Sequence, residues 1–195
     1  MGTDMNGKRY RNQYESHTKI DPLTGKETRA YQYTGAYYRF AADKRQLRTA
    51  RRWIACGAVL FWIGFLAGGF MNAPGSYSMW VLPFFLLSVF PGFYASLAAW
   101  RHYRLPAGMT VMQKEKSHDS TKNSAWGIVI LSVLASAGSL VVLLTGTALG
   151  KEAEEMLFLG ISLLRLIAGW GMLHGCKGLP LEEVVPPQAP KSPEG

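Results

Sequence analysis

Four stretches of the chain, residues 53–71, 79–99, 125–149 and 156–173, hold between them a single charged side chain, Arg165. Each is close to the ~20 residues that a helix rising ~1.5 Å per residue needs to cross a ~30 Å hydrocarbon core. The chain is therefore expected to cross a bilayer four times. The average composition conceals this, because 48% hydrophobic and 17% charged residues would suit an ordinary soluble domain. The charges are instead segregated into residues 1–52, 101–124 and 174–195. The first apolar stretch begins only at Trp53, too late for a secretory signal peptide, so the N-terminal segment is expected to be retained.

A net charge of +8 would suggest nucleic acid in a soluble protein, but the positions of the charges point to topology and to no nucleic-acid partner. Twelve Lys and Arg precede Trp53, five lie between Arg101 and Lys122, and two follow His174. The connector 72–78 has none, and the connector 150–155 has Lys151 against Glu152, Glu154 and Glu155. Basic residues flanking spans stay on the cytoplasmic side, so both ends and the 101–124 loop are expected inside and the two short connectors outside. The expected host is the plasma membrane. Aromatic residues agree: Trp53, Trp100, Tyr103, Trp126 and Trp170 fall at the inner boundary, and Tyr77 and Trp80 at the outer one, where a ring is buried while its N–H or O–H stays wet.

The expected fold is thus an all-α integral membrane protein, a four-transmembrane-helix bundle built from two in–out–in hairpins. Residues 1–40 form a cytoplasmic extension, partly disordered, with an aromatic segment at 29–40. Residues 41–174 form the membrane domain, and 175–195 a disordered, Pro-rich cytoplasmic tail whose PPQAP run suits a polyproline II extension. Trp53 to Leu105-Pro106 and Trp126 to Leu179-Pro180 span 52 and 53 positions, the spacing of a parallel duplication, although the halves share little identity.

The polar segments carry few chemical signals. Asp21-Pro22-Leu23-Thr24-Gly25 reads as a turn, and Gly25-Lys26 lacks the upstream glycine and following Ser or Thr of a phosphate loop. RAYQYTGAYYRF suits a short extended segment or hairpin that lies on the membrane surface or packs on the cytoplasmic loop. From Ala41 the chain runs without Gly or Pro into the first span, and Lys44, Arg45, Arg48, Arg51 and Arg52 recur at helical spacing. This basic stripe is expected to contact anionic lipid headgroups, each basic side chain contributing about 1 kcal/mol near the surface. His102 and His118 are expected to be solvated, since no carboxylate or cysteine accompanies them at metal-ligand spacing. Cys56 and Cys176 are expected to be unpaired thiols.

Within the spans, small residues mark the faces on which helices approach, among them Gly57, Gly64 and Gly68 in the first. In the second, Pro91-Gly92 is expected to bend the helix and free the Leu87 carbonyl. Arg165, nine residues from one end of its stretch and eight from the other, costs about 2.5–3.5 kcal/mol on insertion scales. Its neighbours along the helix face, Ser162, Ile161, Ala168 and Gly169, are mostly small, which points it toward protein. No Asp or Glu lies within any of the four stretches, so no intramembrane carboxylate is expected to pair with it. Depth along the helices places the Leu87 carbonyl, Ser136 and Ser139 in its layer, and its expected partners are the Leu87 carbonyl and either Ser136 or Ser139.

No Ser-His-Asp set, metal spacing or carboxylate pair is visible, so no enzymatic activity, cofactor or metal is expected. Two function classes remain. One is a non-catalytic accessory or scaffold subunit of a larger membrane assembly, partnered by another membrane or cytoplasmic protein or by its own copies. The other is a small oligomeric channel or carrier for an anionic or polar solute that uses Arg165.

Overall fold

A computed structural model describes residues 13–20, 27–105 and 108–184. The first long helix, α1 (Lys44–Phe70), starts on a reciprocal capping box. Asp43 accepts the Lys44 N–H at 2.7 Å, and the Gln46 side chain accepts the Asp43 N–H at 3.2 Å. No break separates the basic turns from the apolar ones, so the stripe from Lys44 to Arg52 and the first span form one rod. Lys44, Arg45, Arg48 and Arg52 are exposed, and Arg51 is half-buried.

The second apolar stretch is interrupted. It forms α2 (Leu82–Leu87) and α3 (Val89–Arg104), which meet at Ser88. Proline at 91 supplies no N–H for the turn before it, and its ring crowds that turn. The backbone responds three residues earlier: the Ser88 N–H is shared between the Phe84 and Phe85 carbonyls at 3.2 and 3.3 Å, and the Ser88 hydroxyl donates back to Phe85. The irregularity expected from Pro91 thus falls at Ser88, in the turn before it. Gly92 has a packing role instead, because a Cβ there would stand 2.0 Å from Cε1 of Phe61, a ring that is fully buried. Gly92→Ala is expected to lower stability by about 1–3 kcal/mol through overpacking, read as an earlier melt in detergent.

Helix α4 (Val111–Lys114) passes through a π turn at Glu115–Asp119 into α5 (Ser120–Leu144), and α6 (Glu152–Lys177) follows a turn with positive φ at Gly146 and Gly150. The structure is mostly helical, and four segments are long and apolar enough to cross a membrane: Lys44–Phe70, Leu82–Arg104, Val111–Leu144 and Glu152–Lys177. They form a closed ring, α1 against α3, α3 against α5, α5 against α6 and α6 against α1. Close approach of α1 and α6 depends on Gly57, where a Cβ would lie 2.4 Å from Met172 Cγ and 2.7 Å from the Ala168 carbonyl oxygen. Val59, Ile63, Leu66, Phe90, Ile130 and Leu157 point outward.

The all-α expectation needs correcting at the basic end of the bundle. Strands β1 (Tyr14–Ile20) and β2 (Glu27–Tyr33) form an antiparallel hairpin; β1 falls where partial disorder was expected, and most of β2 in the aromatic run expected to be extended. The Asp21-Pro22 turn lies outside the described residues. Strand β3 (Tyr37–Phe40), from the aromatic run, is the centre of a second sheet between β4 (Gly108–Thr110) and β5 (Leu181–Val184). The expected tail also shortens, since α6 continues to Lys177 and β5 follows; residues 185–195, with PPQAP, lie outside the described residues. Each pair of long helices therefore runs through a Leu-Pro step into a strand, and the two strands pair with opposite edges of β3. Phe40, Ala50, Met109 and Leu179 form a separate apolar core that seats this sheet on the bundle.

Candidate functional site

Arg165 is the largest fully buried side chain, at 0% exposure in the middle of α6. Its helix face runs Phe158, Ser162, Arg165, Ala168, Gly169, Met172, all buried, which turns the guanidinium into the bundle. Gly64 leaves room for the stem: a Cβ there would stand 2.8 Å from Arg165 Cγ. The guanidinium carbon lies 4.6 Å from the Phe85 ring centre, 5.4 Å from that of Phe61 and 5.6 Å from that of Phe65. Aromatic faces carry partial negative charge, so three rings from two helices supply part of the compensation that a carboxylate would otherwise give. Nη2 donates to the Ser88 hydroxyl oxygen, the residue at the break in the second helix.

The expectation that Arg165 faces protein agrees with this burial, but its partners differ. The Leu87 carbonyl and either Ser136 or Ser139 were expected to accept from it, and Ser88 does so instead. Ser88, the next residue after Leu87, is fully buried and offers its hydroxyl oxygen in that layer. The Leu87 side chain is exposed at 49%. Ser139 is engaged elsewhere, and the hydroxyls of Ser132, Ser136 and Ser162 are buried with no partner among the described residues. Arg165 Nε and Nη1 are likewise buried and unpartnered there.

A second buried ionisable group lies one residue before the fourth apolar stretch, and it does not pair with Arg165. Glu155, read from sequence as part of an outer connector, lies in the first turn of α6 at 0% exposure. It accepts the Gly75 N–H at 2.6 Å and the Ser139 hydroxyl. A carboxylate holding two donors tolerates burial because its charge is met by hydrogen bonds. Gly75 is required here, since a Cβ would stand 2.2 Å from Glu155 Oε1. Ten residues of α6, about 15 Å of helix rise, separate Glu155 from Arg165, and the buried Phe158 lies between.

At the basic end, His102 and His118 are buried at 1% and 8% exposure with rings 6.0 Å apart, not solvated. Phe40 packs against both, at 5.3 and 6.1 Å, because the β3 sheet covers the end of the bundle. Among the described residues no three His, Cys, Asp or Glu side chains converge as a metal set. Cys56 and Cys176 are both free thiols, the first exposed and the second buried. Of the basic stripe, Arg51 makes a tertiary contact, Nη2 donating to the Leu105 carbonyl at 3.1 Å.

Sequence reasoning missed Ser88, the three phenylalanines and Glu155. Phe61 and Phe65, four apart on one helix face, carried a signal for a ring pair. Glu155 could have been found by extending the face of Phe158, Ser162 and Arg165 one turn back. Nothing in the linear pattern pairs Ser88 with Arg165, 77 positions away. No protein-family model, curated protein or solved structure matches this chain.

Proposed function

We propose that this protein is a non-catalytic multi-pass membrane protein, a scaffold or accessory subunit of a larger membrane assembly. In this reading both terminal segments and the middle segment face the cytoplasm, where Lys and Arg concentrate. The observation that carries it is that Arg165 and Glu155, both buried, each bridge separate elements of the bundle. Arg165 joins α6 to Ser88 and to rings of α1 and α2, and Glu155 joins α6 to α5 and to the 72–78 connection. These two contacts tie separate elements together, which is what a rigid membrane anchor requires.

The same reading makes the basic end the working surface. The β1–β2 hairpin is tethered at its base, where Tyr33 accepts the Val111 N–H at 3.2 Å, donates to Ala36 O and packs edge-on against Tyr37. Tyr31, at 69% exposure, faces away. Such a projection from a rigid bundle suits docking to a neighbouring protein. Purification from native membranes in mild detergent is expected to return a partner at fixed stoichiometry, lost when residues 14–33 are deleted. A homogeneous chain without partner would overturn the reading.

A second reading, a small carrier for an anionic solute, is favoured by the two unpartnered donors of Arg165 and the neighbouring unpaired serine hydroxyls. Solute flux through the pure protein in liposomes, abolished by Arg165→Ala, would select it.

A further inference from the structure

On α1 the residues Arg51, Ala55, Ala58 and Trp62 follow one another at four- and three-residue spacing, and so share one face of the helix. That face meets Ser96 and Ala99 of α3 across a slot of about 400 Å³ on the outside of the bundle. The slot exists because alanines oppose alanine and serine where two helices lie side by side, leaving no side chain long enough to fill the gap. Its deep end is closed by Trp62, whose Nε1–H donates to Ser96 Oγ at 2.8 Å. Its other end holds Arg51, with Trp100 and Tyr103 exposed along the rim.

The length and the charge of the slot name an occupant. Eleven residues of helix from Arg51 to Trp62 rise about 16 Å, half of a ~30 Å hydrocarbon core. The slot therefore runs the depth of one leaflet, from a cationic boundary to the membrane midplane. Its walls between those ends are apolar and the Ser96 oxygen is already engaged, so they suit a hydrocarbon chain and offer nothing to a polar solute or a peptide backbone. At the boundary, Arg51 spends Nη2 on the Leu105 carbonyl, while its buried Nε has no partner. No Asp or Glu occurs between Lys44 and Arg104, whereas Arg48, Arg52, Arg101 and Arg104 flank this end in sequence.

We propose that the α1–α3 slot is a binding site for an anionic phospholipid, with one acyl chain along Ala55, Ala58 and Ala99 and the headgroup phosphate beside the Arg51 guanidinium at the mouth of the slot. This rests on the spanning of the bilayer and not on the scaffold reading. A basic side chain near a membrane surface favours an anionic headgroup about fivefold. The full chain, delipidated in detergent, is titrated with phosphatidylglycerol, with phosphatidylcholine of the same acyl chains, and with glycerol phosphate, which has the headgroup chemistry without tails. Native mass spectrometry reads the bound lipid and thermal unfolding its stabilisation. Phosphatidylglycerol is expected to bind at least about fivefold more tightly than phosphatidylcholine and to raise the melting temperature, and glycerol phosphate to do neither.

Ala55→Leu fills the slot from an exposed position, and is expected to abolish lipid retention while the lipid-free protein melts with wild type. Arg51→Gln is expected to weaken both lipids, which share the phosphate, and to bring them toward parity by weakening phosphatidylglycerol more. Equal affinities in the wild type, retention undiminished by Ala55→Leu, or stabilisation by glycerol phosphate alone would each overturn the proposal.

Discussion

Arg165→Ala is expected to lower stability by about 3–5 kcal/mol, the cost of emptying a large buried side chain from a core that cannot collapse onto the gap. The gap would be walled by Phe61, Phe65 and Phe85, whose rings already pack on one another: Phe65 stacks on Phe85 at 4.7 Å. The variant also loses the charged hydrogen bond to Ser88, a contribution of about 1.5–3 kcal/mol, and the attraction of the rings for the cation. Relief from holding a cation in an apolar interior offsets part of this loss. Arg165→Leu separates volume from charge. It restores much of the volume but neither reaches Ser88 nor meets the ring faces, and a loss of about 1–3 kcal/mol is expected. Expression level and thermal unfolding in detergent are the measurements. A leucine variant that melts with wild type would remove the structural role of the arginine and leave its two free donors to a ligand.

The second large effect is expected at the other buried charge. Glu155→Ala strands two buried donors, the Gly75 N–H and the Ser139 hydroxyl, and is expected to cost about 2–4 kcal/mol. Glu155→Gln keeps the shape and one acceptor oxygen, and its amide can donate to Ser139, so a loss nearer 1 kcal/mol is expected. The pair Glu155→Ala and Ser139→Ala tests the contact directly. The double variant should be more stable than the sum of the single losses predicts, by at least about 0.5 kcal/mol, because removing one member makes loss of the other cheaper. Additive losses would mean that the contact does not couple the 72–78 connection to the third and fourth helices.

Arg165 and Glu155 also show why the candidate site was only partly legible. That Arg165 points inward followed from its small neighbours at three- and four-residue spacing, because helical periodicity is a local property. Its partner did not follow. Depth counting gives the layer but not which face of the second helix turns inward, and Ser88 rather than Leu87 is the buried residue there. Glu155 was misassigned because a charge near the end of an apolar run is ordinarily solvated. Whether it is buried depends on the Gly75 N–H and on Ser139, contributed by two other parts of the chain. His102 and His118 failed for the same reason: the sheet that covers them gathers strands from residues 37–40, 108–110 and 181–184.

Linear order alone determined that four helices here are long and apolar enough to cross a bilayer, and that the positive charge gathers at one end of them. Both are sums over neighbouring residues, and hydrocarbon solvation and helix rise act on them without reference to the rest of the fold. Only the tertiary structure decided which side chains the interior holds in common. Ser88 with Arg165, Glu155 with Gly75 and Ser139, and the three strands across the basic end are contacts between distant segments. Their existence depends on which distant segments the folded bundle brings opposite one another, and that is not written in the local pattern.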